Sequence, residues 1–222
     1  MWSIPPEQNA DFVAKMEDIL DIYEKPYDER YPVICVDEKP KQLIGERREP
    51  MAMAENSPKK IDNEYERNGT CAVFVMTEPL KGWIHANARE RRTAVDFAHE
   101  IDALVNCPRF ANAEKFTLVV DNLNTHVISS LYKAFTAKKA RQIAKKLDIH
   151  YTPKHGSWLN IAEIAISILS RQCIGRRIPS LELLNSEIAA WEKDFNASSK
   201  KINWQFTTNN ARVRLVRIYP TF

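Results

Sequence analysis

The chain has 222 residues, 44% of them hydrophobic, and 32 Lys and Arg stand against 29 Asp and Glu for a formal charge of +3. That length and apolar content can bury a sizeable core, as one domain or one domain with an appendage. No apolar run approaches the roughly 20 residues of a bilayer span, and the first residues carry Pro5, Pro6 and Glu7 where a signal peptide would be basic and then apolar. Both features argue against membrane and exported classes. Cys35, Cys71, Cys107 and Cys173 lie far apart with no Cys-x-x-Cys pair, so they read as small apolar residues in a reducing compartment. The expected location is the cytoplasm, and the mild basic excess weakly favours an anionic partner.

Residues 1–26 read as a linker and a short lead-in helix, with the main domain expected over 27–222. Within the lead-in, residues 11–23 set Phe12, Met16, Ile19 and Leu20 on one face, an amphipathic pattern expected to pack at the domain edge. Val33-Ile-Cys-Val-Asp37-Glu38 is then a short apolar run that ends in an acid. Residues 42–68 are charged and turn-forming, consistent with a ragged hairpin excursion. Residues 71–76 and 83–87 are two further strands joined by a turn at 79–82, which gives three antiparallel strands in succession. Thr93 predicts a helix N-cap with Asp96 at the third position, and Ala94, Phe97, Ala98, Ile101, Leu104 and Val105 form the buried stripe.

The run 116–120 is apolar enough for a strand covered on both faces. Asn122, Asn124 and Thr125 would stop it and leave Asp121 at its end. Two short helical segments follow. In the second, residues 136–147, Ala140, Ile143, Ala144 and Leu147 point inward while Lys138, Lys139, Arg141, Lys145 and Lys146 face out, either as a solvated face or as phosphate contacts. Residues 149–152 form the fifth strand. After His155-Gly-Ser157, residues 158–174 predict one long, largely apolar helix with Glu163 as its only acid and Asn160, Glu163, Ser167 and Ser170 as a thin polar stripe. Ser180 caps a helix whose seam is Leu181, Leu184, Ile188, Trp191 and Phe195. Residues 204–208 lead into a last basic helix with Arg212, Arg214 and Arg217.

A strand-end acid either caps the next helix or points into a cleft. Here the pattern occurs twice, at Asp37 and Asp121, and Glu163 adds a third carboxylate on an apolar helix that would rarely bury it unpaired. Divalent metal supplies one reason for all three, because Mg²⁺ takes hard oxygen ligands and two ions can clamp the attacking and leaving oxygens of a phosphoryl displacement. The chemistry would be phosphodiester cleavage. Glu38, next to Asp37, is expected on the opposite face of its strand and so outside the site. His150 and His155 have neither a cysteine partner nor helical ligand spacing, which argues against zinc.

Four strings carry a resemblance: Cys35-Val-Asp37-Glu-Lys-Pro40, Asp121-Asn-Leu-Asn-Thr-His126, the stretch from Tyr151 through Lys154 to Glu163 and Ile164, and Trp204-Gln-Phe-Thr-Thr208. Together they resemble bacterial insertion-sequence transposases of the mariner-like superfamily, whose catalytic core is a DDE endonuclease. The resemblance implies an α/β, RNase H-like fold, a mixed five-stranded sheet flanked by helices in the chain order βββαβαβα with C-terminal helices. It implies that Asp37, Asp121 and Glu163 bind two Mg²⁺ or Mn²⁺ ions; Asn122, His126 and Asn160 are candidates to orient a carboxylate or contact phosphate, with His126 equally readable as a helix-start residue that satisfies backbone groups. The implied reaction is hydrolysis at transposon ends and joining of the 3′-hydroxyl to target DNA, typically at TA.

The same resemblance implies a homodimer on double-stranded DNA, with Lys154 and the two basic helices as DNA contacts. Relatives of this kind begin with helix-turn-helix modules that read the DNA ends, whereas this sequence begins at what resembles the linker before the core. A separately encoded helix-turn-helix half is therefore an expected partner. A truncated remnant that only binds DNA or dimerises, and a stand-alone RNase H-like nuclease, are the competing readings.

Overall fold

The computed structural model describes residues 4–5, 7–58, 60–198 and 200–221. An opening helix, α1 (Ala10–Glu24), is capped by Asn9, whose side chain accepts from Phe12 N. Three antiparallel strands follow, β1 (Val33–Glu46), β2 (Tyr65–Glu78) and β3 (Trp83–Arg89). Next come α2 (Ala94–Val105), β4 (Phe116–Val120), α3 (Ser129–Ala134), α4 (Ala137–Lys145) and β5 (Leu147–Tyr151). The chain closes with α5 (Ala162–Leu169), α6 (Leu181–Ala197) and α7 (Thr208–Arg214).

The sheet order is β3-β2-β1-β4-β5. β1 is central, antiparallel to β2 and parallel to β4, and β4 is parallel to β5. Alternation divides the sheet into two covered faces. Ile34, Val36, Phe74, Met76, Leu118 and Val120 pack against α2 to α4. On the other face Val73, Val75, Ile84 and Ala86 meet α5 and α6, while Cys35 and Val119 meet α1 and the elements that follow β5 and α6. Such two-sided cover explains why these strands read as near-continuous apolar runs. The fold is the mixed, helix-flanked, RNase H-like sheet that the sequence predicts.

The predicted cap of α2 is present in full: Asp96 N donates to Thr93 Oγ1 and Thr93 N to Asp96 Oδ2. α1 buries Phe12, Met16, Ile19 and Leu20 as one contiguous part of the core. Cys35, Cys71 and Cys173 are buried free thiols and Cys107 is half-buried. No described helix is long and apolar enough to cross a membrane.

Two elements differ from the sequence expectation. β1 and β2 run 14 residues each, well past the apolar strings, so the excursion shrinks to residues 47–64 with isolated bridges Met51–Lys60 and Ala54–Ser57. The added rungs of ladder are polar because they lie beyond the core, and residues 65–70 are exposed on both faces. The long helix expected over 158–174 is broken into a 3₁₀ turn (Ser157–Leu159), α5, and a π-helical stretch (Ser170–Ile174). Asn160 makes the break. It holds an extended backbone conformation, φ −82° and ψ 109°, and its Oδ1 accepts from Ala162 N at the new helix start. The last basic helix is shorter than expected too, since Arg217 falls in a 3₁₀ turn (Val216–Ile218) after α7.

The β2–β3 turn depends on Gly82, whose φ is +66° and whose missing Cβ would stand 2.5 Å from the Lys200 backbone. Both a left-handed conformation and a backbone collision oppose a side chain there. Gly82→Ala is expected to destabilise the fold by about 2 kcal/mol or more, read as a lower urea midpoint with an unchanged slope.

Candidate active site

β4 is short, and its pairing with β1 sets the two strand-end acids side by side. The register runs Val33–Thr117, Ile34–Leu118 and Cys35–Val119. Carried on by two residues, it puts Asp37 next to Asp121, on strands about 4.8 Å apart. Past this point β1 continues with only β2 beside it, so the site opens where β4 has ended.

Asp37 is 9% exposed, and its one hydrogen bond is from Glu38 N to Oδ1 at 2.8 Å. Burial pushes its carboxyl up to about 7, and the negative fields of Asp121, Glu163 and Glu38 add to that against the single backbone donor. No cation among the described residues pairs with it. Asp121 does not cap a helix, for the N-cap of α3 is Ile128. Instead its Oδ1 accepts from Leu123 N at 3.2 Å and lies 2.6 Å from His126 Nδ1, with part of the side chain open to solvent.

Glu163 is in the first turn of α5 and exposed, and its carboxylate has no hydrogen-bond or ion-pair partner among the described residues. Its placement is set from behind. Asn160 Nδ2 donates to Val36 O at 2.9 Å, and Tyr23 Oη donates to Leu159 O at 2.8 Å while touching Cys35 Sγ at 3.4 Å. The start of α5 is thereby pinned to the two β1 residues that precede Asp37. Asn160 is thus a buried brace and not part of a helical stripe.

His126 is fully buried, with Nε2 2.9 Å from Glu38 Oε1 and Nδ1 against Asp121. The contact with Glu38 is an aligned hydrogen bond. The contact with Asp121 is short but off the N–H axis, and so acts as an ion pair. Burial alone would lower the imidazole pKa, but the two carboxylates outweigh it and push it up to about 9, which leaves a cation between two anions. Phe97 stacks on the ring at 4.6 Å, and Tyr151 Oη donates to His126 O at 2.8 Å.

Glu38 points away from Asp37, as alternation requires. It nonetheless reaches the site through His126, a link that sequence reading missed because the chain after β4 folds behind the strand end.

The remaining predicted residues are spread out. Asn122 Nδ2 donates to Thr152 O at 2.9 Å and braces the ends of β4 and β5. Lys138, Arg141, Lys145, Lys146 and Lys154 are exposed, whereas Lys139 pairs with Asp102 at 2.6 Å. Arg214 and Arg217 are exposed, and Arg212 is held by Glu17. His150 pairs with Asp18 at 2.7 Å.

The donor set fits a divalent cation. The charges of Asp121 and Glu163 both act on Asp37, no lysine or arginine among the described residues neutralises the three hard carboxylates, and Asp37 is driven toward its neutral form. The cage is open: no described group of three His, Cys, Asp or Glu side chains is already drawn to ligand distance.

Asp37 within β1, Asp121 just past β4 and Glu163 at the start of α5 sit on a sheet of the RNase H-like class. Residues 32–185 match the family model described as DDE superfamily endonuclease, and the chain belongs to that family. Among solved structures, the fold is similar to that of a pre-cleavage Mos1 transpososome, with TM-score 0.55 and 13% identity over 99% of this chain and 66% of that one. It is similar also to the Mos1 mariner paired end complexes with Mg (TM-score 0.54, 13% identity, 99% and 66% covered) and with Mn (TM-score 0.54, 12% identity, 89% and 60% covered). The chain therefore spans less than two thirds of the length of these structures. No curated protein matches it.

The pKa of Asp37 has a consequence for stability. Without metal, the folded chain keeps this proton up to about pH 7, whereas a free carboxyl releases it near 3.8. The native state binds more protons between those values, so stability falls as pH rises through the window and levels off above it. Asp37→Asn is expected to remove that slope and to stabilise the protein at pH 8 by an amount of the order of 2 kcal/mol. Thermal melts from pH 4 to 8 in EDTA check it.

Proposed function

We propose that this chain is the catalytic domain of a DDE transposase, which cleaves DNA phosphodiesters at transposon ends and joins the freed 3′-hydroxyl to target DNA. The observation that carries this reading is the β1–β4 register, which brings the Asp37 and Asp121 carboxylates together, with the unpaired Glu163 at the start of α5. The family match supports the endonuclease part, and the transposase complexes among the similar structures support DNA ends as substrate.

Two divalent ions, Mg²⁺ or Mn²⁺, would supply an activated oxygen nucleophile and charge neutralisation at the leaving oxygen. Asp37, whose carboxyl feels the charge of both other acids, would hold the ions together with Asp121 and Glu163. Asp121 holds the nucleophile side, and its free oxygen is kept in place by the contact of the other with His126 and Leu123 N. Glu163 takes the leaving-group side. His126 and Asn160 act on position only, the first by fixing Asp121 and the second by fixing the start of α5.

In this reading the outward lysines of α4, Lys154, and the arginines of α7 and the turn after it contact the DNA backbone. The active form is a dimer, and a helix-turn-helix unit reads the ends.

Single alanine substitutions at Asp37, Asp121 and Glu163 are expected to lower Mn²⁺-dependent nicking of supercoiled plasmid by about 10³-fold or more, with each variant still folded by circular dichroism. Full activity in any one of the three would overturn the assignment. A joined product with a pre-cut end separates a strand transferase from a nuclease that only cuts.

A further inference from the structure

The face of β1 that carries Asp37 does not end with the acid. Alternation puts Lys39 and Lys41 on the same face, about 6.6 Å and 13 Å further along the strand. They enter a cavity of about 870 Å³ whose opposite wall is the π-helical stretch and the residues after it, with Ser170, Gly175 and Arg176. This cavity begins at Lys39, two residues past Asp37, and follows β1 as far as Glu46, beyond the stretch that β4 pairs.

Its charge is unbalanced. Four cations, Lys39, Lys41, Arg176 and Arg177, line it with two carboxylates, Glu46 and Asp62; Arg177 meets Glu46 at 2.6 Å, Arg48 meets Asp62 at 3.4 Å and Arg176 is paired with Glu187, which leaves the two lysines. Lys39 is half-buried and has no partner among the described residues. Lys41 donates only to the Arg176 carbonyl, at 2.7 Å, and both burial and the charge of Lys39 hold its pKa below the ordinary lysine value. Two ammonium groups one strand step apart, neither with a carboxylate, are a place made for successive anions. Ser170 Oγ, also without a partner, lines the same wall.

We propose that this groove carries the phosphodiester backbone of the DNA strand leading away from the scissile phosphate, with consecutive phosphates against Lys39 and Lys41. The inference rests on the endonuclease reading for its substrate and adds a path for it. Each two-residue step along β1 is of the order of the spacing between phosphates in an extended strand, so the strand itself acts as the ruler. Pro40, between the two lysines, has no N–H to offer on the edge that β4 leaves open, which keeps that edge from recruiting another strand.

The test is DNA binding by fluorescence anisotropy, with the full chain carrying Asp37→Asn so that nothing is cut, across a salt series. Adding K39Q and K41Q is expected to weaken binding about tenfold at low salt and to reduce the log–log salt slope by about 1.5. K39R with K41R should restore both, and K25Q with K193Q, exposed lysines elsewhere, should change neither. If the glutamine pair binds like the parent, or if the arginine pair is as weak as the glutamine pair, the groove does not carry the strand. Failure of the alanine series to stop nicking would instead overturn the catalytic assignment, and leaves the binding result to stand or fall alone.

Discussion

Two carboxylates brought together by a buried parallel strand pair are the constraint on which this structure turns. Parallel pairing of β1 with β4 requires the chain to leave the sheet after β3, cross over through α2 and return on the far side of β1. Once it does, the register fixes where two acids fall, and neither can move away without shifting a ladder whose Ile34, Cys35, Leu118 and Val119 are fully buried. The protein tolerates the charge in two ways. Asp37 retains its proton, and Asp121 leans on an imidazolium.

That imidazolium is itself held by a second anion. Asp37 and Glu38 are adjacent in sequence and opposite in direction, one toward α5 and the other toward α2 and the chain after β4. Glu38 has only 2% of its side chain exposed, and His126 none. A charge buried to that degree needs a partner, and the row Glu38, His126, Asp121 supplies one in each direction. The Phe97 ring closes the apolar side. The rear of the site is therefore fixed by electrostatics and packing together, and the front, with Glu163, is left free to respond to what binds.

Much of this was legible in the sequence, for identifiable reasons. Strand-end acids, the Thr93 cap and the stripe of α2 are local patterns, and β4 ended at the residue that Asn122 and Asn124 predict. Less visible features depended on contacts distant in the chain. Glu38 was placed on the correct face and still excluded, because alternation says where a side chain points but not what folds round to meet it. Asn160 looked like one position of a helical stripe, yet its hydrogen bond to Val36 O, 124 residues away, takes it out of the helix. The outer halves of β1 and β2 lack apolar alternation because only the ladder holds them. Lys39 and Lys41 read as loop charges next to a proline, and only the length of β1 beyond β4 puts them in line with Asp37.

The two ends of the described chain are clasped. Asn9 N donates to Ile218 O, Thr208 binds Asp21 and Glu24, and Arg212 and Tyr219 both reach Glu17, across separations of 184 to 209 positions. During synthesis, α1 emerges well before α7. The buried flank of α1, with Phe12, Met16, Ile19 and Leu20, must wait for partners that include Ala211, Leu215 and Ile218, which are made some two hundred positions later. The sheet and α2 can assemble on their own local contacts before that. Docking of α1 is thus a late event in the life of each nascent molecule, and the interval before it is when an apolar helix of this protein stands open to aggregation.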